Sequence, residues 1–188
     1  MPRRSSWIRF PHLLLVPVLA VLALSPGPTR AADPKSPIQT LKVTTLDGTE
    51  LSFEEKLAKG PVLIDFWATW CKPCKMALPE VQALHEQYAA RGLTVIGVSL
   101  DGPRNAPKVR PFAQQLGLTF PNVLDEKGEL GRAFQIMGLP TSVLVAPDGT
   151  IASTKMGYRP GEGERLGKEI EKLLLVPADS TAQAPSES

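Results

Sequence analysis

The sequence predicts an α/β fold: a mixed central sheet flanked by helices, with an N-terminal hairpin and a short central insertion. Three observations carry this. Val62 to Trp67 and Leu93 to Leu100 are apolar runs of strand length, the mark of strands covered on both faces. Between them, Cys74 to Tyr88 sets Leu78, Val81, Leu84 and Tyr88 on one helical face, as a strand–helix–strand crossover requires. Further on, two strand-like runs flank a turn and an amphipathic segment closes the pattern.

Taken in order, Leu41 to Leu51 is broken by Asp47-Gly48 and reads as a short hairpin. The buried strand Val62–Trp67 follows, then the helix from Cys74, which Gly92 stops. After the second buried strand, Asp101 to Asp125 forms the insertion, with a helix over Ala106 to Leu116 entered through Pro103 and Pro107. Glu129 to Phe134 reads as a short helix. Ser142 to Ala146 and Thr150 to Met156 are strands joined by Pro147-Asp148-Gly149, and Arg165 to Leu175 is the closing helix.

The ends read differently. Arg3, Arg4 and Arg9 precede an apolar run from Leu13 to Leu24, and small residues lead to Thr29-Arg30-Ala31. This is the order of a secretory signal peptide spanning residues 1–31, cleaved after Ala31. An uncleaved anchor is the alternative, although a spanning helix needs about 20 apolar residues. Residues 32–37 read as a linker, 38–176 as one folded domain and 177–188 as a disordered tail. A chain of 188 residues suits one domain. Its 21 basic and 19 acidic residues lose four arginines with the leader, leaving 17 against 19. No nucleic-acid partner is implied. The expected location is extracytoplasmic or periplasmic, where thiols meet oxidising conditions.

The two cysteines form Cys71-Lys72-Pro73-Cys74, between a strand and a helix. A thiol at a helix N-terminus faces the positive end of the dipole and unpaired backbone N–H groups. Its pKa falls, to roughly 3.5–7.5 in such motifs, and the thiolate is the attacking species in disulfide exchange. Cys71 is expected to be exposed and nucleophilic, with Cys74 covered and resolving. Lys72 adds positive charge, and Pro73 fits an early helical position. Zinc is a weaker reading, since His85 is the one further histidine outside the leader. A copper(I) site using both thiolates and Met76 is the alternative function. An inert structural disulfide would close too small a loop to stabilise much.

Asp65-Phe66-Trp67-Ala68-Thr69-Trp70-Cys71-Lys72-Pro73-Cys74, with Pro79 beyond it, resembles the active-site strand and helix of thioredoxins. Gly138-Leu139-Pro140-Thr141 resembles the loop that presents a cis-proline opposite the cysteines. The hairpin, the insertion and the export signal are similar to the TlpA/ResA branch of exported thioredoxin-like reductases. The resemblance implies a thioredoxin fold and a monomer without cofactor or bound metal. It implies a Cys71–Cys74 redox disulfide, Asp65 as proton acceptor for Cys74, and Pro140 as the docking cis-proline. Trp67, Trp70, Lys72, Pro73, Leu139 and Thr141 would contact substrate. A membrane electron donor and disulfide-bearing clients, such as apocytochrome c or an oxidase copper subunit, are the implied partners. Two departures stand out. The branch commonly has asparagine at the place of Asp65 and an acid at the place of Ala77. A thiol peroxidase of the peroxiredoxin kind wants threonine or serine where this chain has Ala68. A DsbA-type oxidase inserts a large helical domain, for which the stretch between Cys74 and Pro140 is too short.

Overall fold

The structure is a computed structural model and describes residues 36–175. The signal peptide, its cleavage site and the tail lie outside the described residues. The expected linker does so only in part. Ser36 Oγ donates to the Gly149 carbonyl (2.8 Å) and the Gln39 side chain to that of Asp148 (2.9 Å). The fold therefore begins at least two residues before Ile38.

The N-terminal hairpin pairs β1 (Lys42–Thr44) with β2 (Glu50–Ser52). A short helix, α1 (Phe53–Leu57), follows. It was not expected from the sequence, because five residues hold only one apolar pair at helical spacing, Phe53 and Leu57, both buried. Then come β3 (Val62–Trp67), α2 (Cys74–Tyr88) and β4 (Thr94–Ser99). The insertion holds α3 (Ala106–Gln115) and β5 (Asn122–Leu124), the latter too short to show a period. The chain continues with α4 (Glu129–Ala133), β6 (Thr141–Val145), β7 (Ile151–Met156) and α5 (Glu162–Leu174). Helix α5 starts three residues ahead of the expected Arg165, after Gly161 at φ +77°.

Five strands form one mixed sheet in the order β5-β4-β3-β6-β7. The first three are parallel, β6 runs antiparallel to β3, and β7 runs antiparallel to β6. The hairpin leans on the β5 edge, where Leu46 N–H donates to the Asn122 carbonyl (2.6 Å). Each sheet face carries its own apolar cluster. Leu63, Trp67, Val95 and Leu144 pack with Cys74, Leu78 and Leu84 of α2 and Ile170 of α5. On the other face Ile64, Phe66, Ile96 and Val143 pack with Phe53, Leu57 and Phe134. Every residue of β3 is fully buried, as a run apolar at every position but Asp65 predicts. Among the described residues, no helix is long and apolar enough to cross a membrane.

Gly97 sits in β4 directly beside Asp65 of β3. A Cβ there would lie 2.2 Å from Asn122 Oδ1, 2.9 Å from the Phe120 ring and 3.0 Å from Trp67 Nε1. Gly97→Ala therefore overpacks the core and is expected to lower stability by about 1–3 kcal/mol, read as a lower urea midpoint.

Candidate active site

Strand β3 ends at Trp67, and Ala68 to Pro73 carry the chain to the first residue of α2, Cys74. The Cys71 N–H donates to the Ala68 carbonyl (3.1 Å), which closes the turn. Cys71 and Cys74 are disulfide-bonded, with an S–S distance of 2.07 Å and Cα atoms 5.3 Å apart. The Cys74 N–H, one of the donors a helix leaves unpaired at its start, points at Cys71 Sγ (3.2 Å). In the reduced protein the same donor would stabilise a Cys71 thiolate. Pro73 has φ −64° and enters the helix without strain. Pro79 stands inside α2.

Cys71 is not exposed as expected. It is 5% accessible and Cys74 is fully covered. Cys71 packs into the cluster of Trp67, Ala68 and Cys74, against which Leu139 is also laid. The order of access is kept all the same, with only the first sulfur's residue open to solvent at all.

The Leu139–Pro140 peptide is cis. The antiparallel register sets Thr141 beside Phe66, so Pro140 lies at the end of the sheet where β3 delivers the cysteines. Ala77 and Val81 of α2 line a cleft together with Pro140. The loop is closed by Thr141 Oγ1 donating to the Gly138 carbonyl (2.7 Å) and by Gly157 N–H donating to that of Pro140 (2.7 Å).

Two residues expected to contact substrate are placed elsewhere. Trp67 is fully buried and stacks on Phe112 (5.4 Å between centroids, 20° between planes). It ends the buried central strand and belongs to the core. Thr141 is 2% accessible because its hydroxyl is turned into the loop. Trp70 and Lys72 are exposed, while Pro73 and Leu139 are half-buried. Sequence reasoning missed the thioethers. Met76, Met137 and Met156 are all exposed, which is unusual for methionine. Met156 Sδ lies 3.2 Å from where a Gly138 Cβ would stand, so this side chain covers the cis-proline loop. Only Met76 had been singled out, because thioethers carry no spacing signature.

Asp65 is fully buried in β3. Its neighbours Leu63 and Trp67, one alternation away on each side, face the cluster that contains Cys74 and Leu78, so Asp65 points to that same face. Ser142 donates to its Oδ1 (2.6 Å), and Oδ2 has no protein partner. Burial pushes its carboxyl up to about 7, against the smaller opposing effect of the Ser142 hydrogen bond. A second buried carboxylate was not foreseen. Asp101 accepts from the Thr69 N–H (2.8 Å), the Thr69 hydroxyl (2.7 Å) and the Ser99 hydroxyl (2.8 Å). It clamps the segment that leads into Cys71.

His85 sits eleven residues beyond Cys74 on the same helix, about 16 Å along its axis. It meets the Phe120 ring edge-on at 5.9 Å and is remote from the cysteines. Among the described residues, no group of three or more His, Cys, Asp or Glu side chains could hold a metal ion.

Residues 34–154 match the AhpC/TSA family. Sporulation thiol-disulfide oxidoreductase A of Bacillus subtilis is 31% identical over 161 residues, which cover 85% of this chain and 95% of the relative. Thiol-disulfide oxidoreductase ResA of Bacillus thuringiensis is 32% identical over 132 residues, covering 70% and 71%. Among solved structures, a thiol:disulfide interchange protein DsbE from Chlorobium tepidum superposes with a TM-score of 0.67 at 28% identity, covering 77% of this chain and 99% of that one. StoA from Bacillus subtilis gives a TM-score of 0.59 at 31% identity, covering 69% and 94%.

The Asp65 carboxyl makes stability depend on pH. Its folded pKa, about 7, lies above the unfolded value near 3.9. Stability is therefore full below about pH 4 and is lost as pH rises through about 7, by on the order of 4 kcal/mol. Asp65→Asn should flatten this part of the profile, and urea unfolding of the oxidised protein at pH 5 and pH 8 measures it. An equal loss in both proteins would contradict the assignment.

Proposed function

This chain belongs to the AhpC/TSA family and is a thiol–disulfide oxidoreductase, and from that premise we propose that it reduces the disulfides of exported client proteins through Cys71 and Cys74. The observation that supports this most directly is the oxidised pair at the start of α2, with only Cys71 accessible and a cis-proline beside it.

In the reduced enzyme the Cys71 thiolate attacks one sulfur of a client disulfide, and the other client sulfur leaves as a thiolate. The product is a mixed disulfide. Cys74 gives its proton to Asp65 and attacks Cys71 Sγ. The second client thiolate departs, and the Cys71–Cys74 bond forms as seen in the structure. Two electrons have passed to the client, and a membrane-embedded dithiol donor returns them. Carboxyl groups that titrate near the working pH suit such proton transfer, and that of Asp65 lies at about 7.

Client segments dock along Pro140 and Leu139, with Trp70, Lys72 and Pro73 on one flank. Exposed Met76, Met137 and Met156 add a soft, adaptable rim. The clients are exported proteins whose cysteines must be kept reduced, such as apocytochrome c or a copper-site subunit of an oxidase. The protein works as a monomer in the periplasm or its extracytoplasmic equivalent, free or tethered by its N-terminal segment.

The reduction potential of the pair tests the direction of flow, with the fluorescence of Trp67 and Trp70 read against a dithiol buffer. A value near or below the about −270 mV of thioredoxin is expected, whereas one near the about −120 mV of DsbA would make the protein a disulfide donor. In cells, Cys74→Ser should accumulate mixed disulfides with clients. Tight stoichiometric copper(I) binding with little disulfide exchange would favour the copper-handling alternative.

A further inference from the structure

Strand register lines up one residue from each of the five strands of the sheet. Asn122, Gly97, Asp65, Ser142 and Lys155 are direct neighbours from β5 to β7, so they share one face of the sheet. Asp65 stands at the centre of this row. Toward β5 the row is closed: Gly97 has no side chain, and its space is filled by the Asn122 amide, the Phe120 ring and the Trp67 indole.

Toward β7 the row opens. Ser142 is half-buried, donates to Asp65 and lines a cleft with Ala77, Pro140 and Lys155. The cleft holds about 20 Å³, enough for one water molecule. Lys155 is about one-third exposed and is paired with Glu169 (2.8 Å), so the row ends at solvent.

We propose that Ser142 is the proton relay of Asp65, linking its carboxyl to solvent through this cleft. The proposal rests on the reading that Asp65 takes the Cys74 proton. Cys74 S–H and the Asp65 carboxylate give a thiolate and a neutral acid. The Asp65 O–H then donates its proton to Ser142 Oγ, while the hydrogen already on Ser142 passes to water in the cleft. One proton leaves, Ser142 is neutral at both ends of the step, and no electron moves. Turning its hydroxyl back toward Asp65 resets the pair.

The charged groups nearby are accounted for. Glu80 of α2 accepts from the Tyr158 hydroxyl (2.8 Å) and the Gly163 N–H (2.7 Å). Lys155 is held by Glu169, and Glu162 of α5 is paired with Arg165 (2.9 Å). Strands β4 and β5 contribute only Gly97 and Asn122. Burial and the Ser142 hydroxyl are the causes that act on the Asp65 carboxyl, with no charged side chain among them. Ser142 is thus the neighbour whose loss Asp65 would feel.

Stopped-flow reaction of the reduced protein with Ellman's reagent separates the two thiols. The first thionitrobenzoate is released by Cys71 and the second by Cys74. Ser142→Ala should move the pH midpoint of the second release upward by about one pH unit. At pH 7 that is about a fivefold slowing, with the first release unchanged. Ser142→Thr keeps a hydroxyl and should restore the wild-type profile. A Ser142→Ala profile that overlays the wild type overturns the relay. Asp65→Asn separates the two ideas. If it removes the midpoint while Ser142→Ala does nothing, only the relay fails. If it too leaves the profile unchanged, the Asp65 reading fails and the relay with it.

Discussion

The complete burial of β3 is the constraint on which the rest depends. Six consecutive residues without solvent contact require covering layers on both faces and paired strands on both edges. The two apolar clusters, the crossover through α2 and the return of β6 all meet that requirement. A strand so held has a fixed end point, and the chain leaves it at Trp67 directly into the cysteine turn. The same packing delivers Pro140, because β6 runs antiparallel to β3 and starts where β3 ends. Reactive geometry here is a consequence of core geometry, which is why the cysteines can be presented by a turn of only six residues between strand and helix.

The two buried carboxylates of the site part company. Asp101, two residues past the end of β4, receives three hydrogen bonds from Thr69 and Ser99 and is used up as a clamp. Asp65 receives one and keeps a bare oxygen. A buried carboxylate with one donor is costly when charged. The cost is what brings its protonation into the neutral range. The fold therefore gives up stability at neutral pH to hold a titratable group on the sheet face that packs against Cys74.

Much of this was legible in the sequence. The apolar run around Asp65 gave away β3, the one-sided spacing gave away α2, and the Pro-Asp-Gly turn gave away the β6–β7 hairpin. What escaped has physical causes. Elements of three to five residues, α1 and β5, are shorter than the periods that reveal them. Trp67 and Trp70 look alike in sequence, but strand alternation and the strand's end bury one and leave the other exposed. Cys71 looked open because its burial depends on a cluster to which distant parts of the chain, Leu139 among them, contribute. Ser142 carried no local signal whatever, since its importance lies in being opposite Asp65, a fact of register alone.

Register also bears on the exchange of acids between this chain and the branch it resembles. Ala77, where that branch commonly carries an acid, lines the same cleft as Ser142. An acid there would approach the cleft from the helix, whereas Asp65 approaches it from the sheet through Ser142. The two arrangements thus serve one small volume beside Pro140 from opposite walls. The small residue at position 77 leaves the helix side of the cleft open in front of Ser142, through which Asp65 meets it.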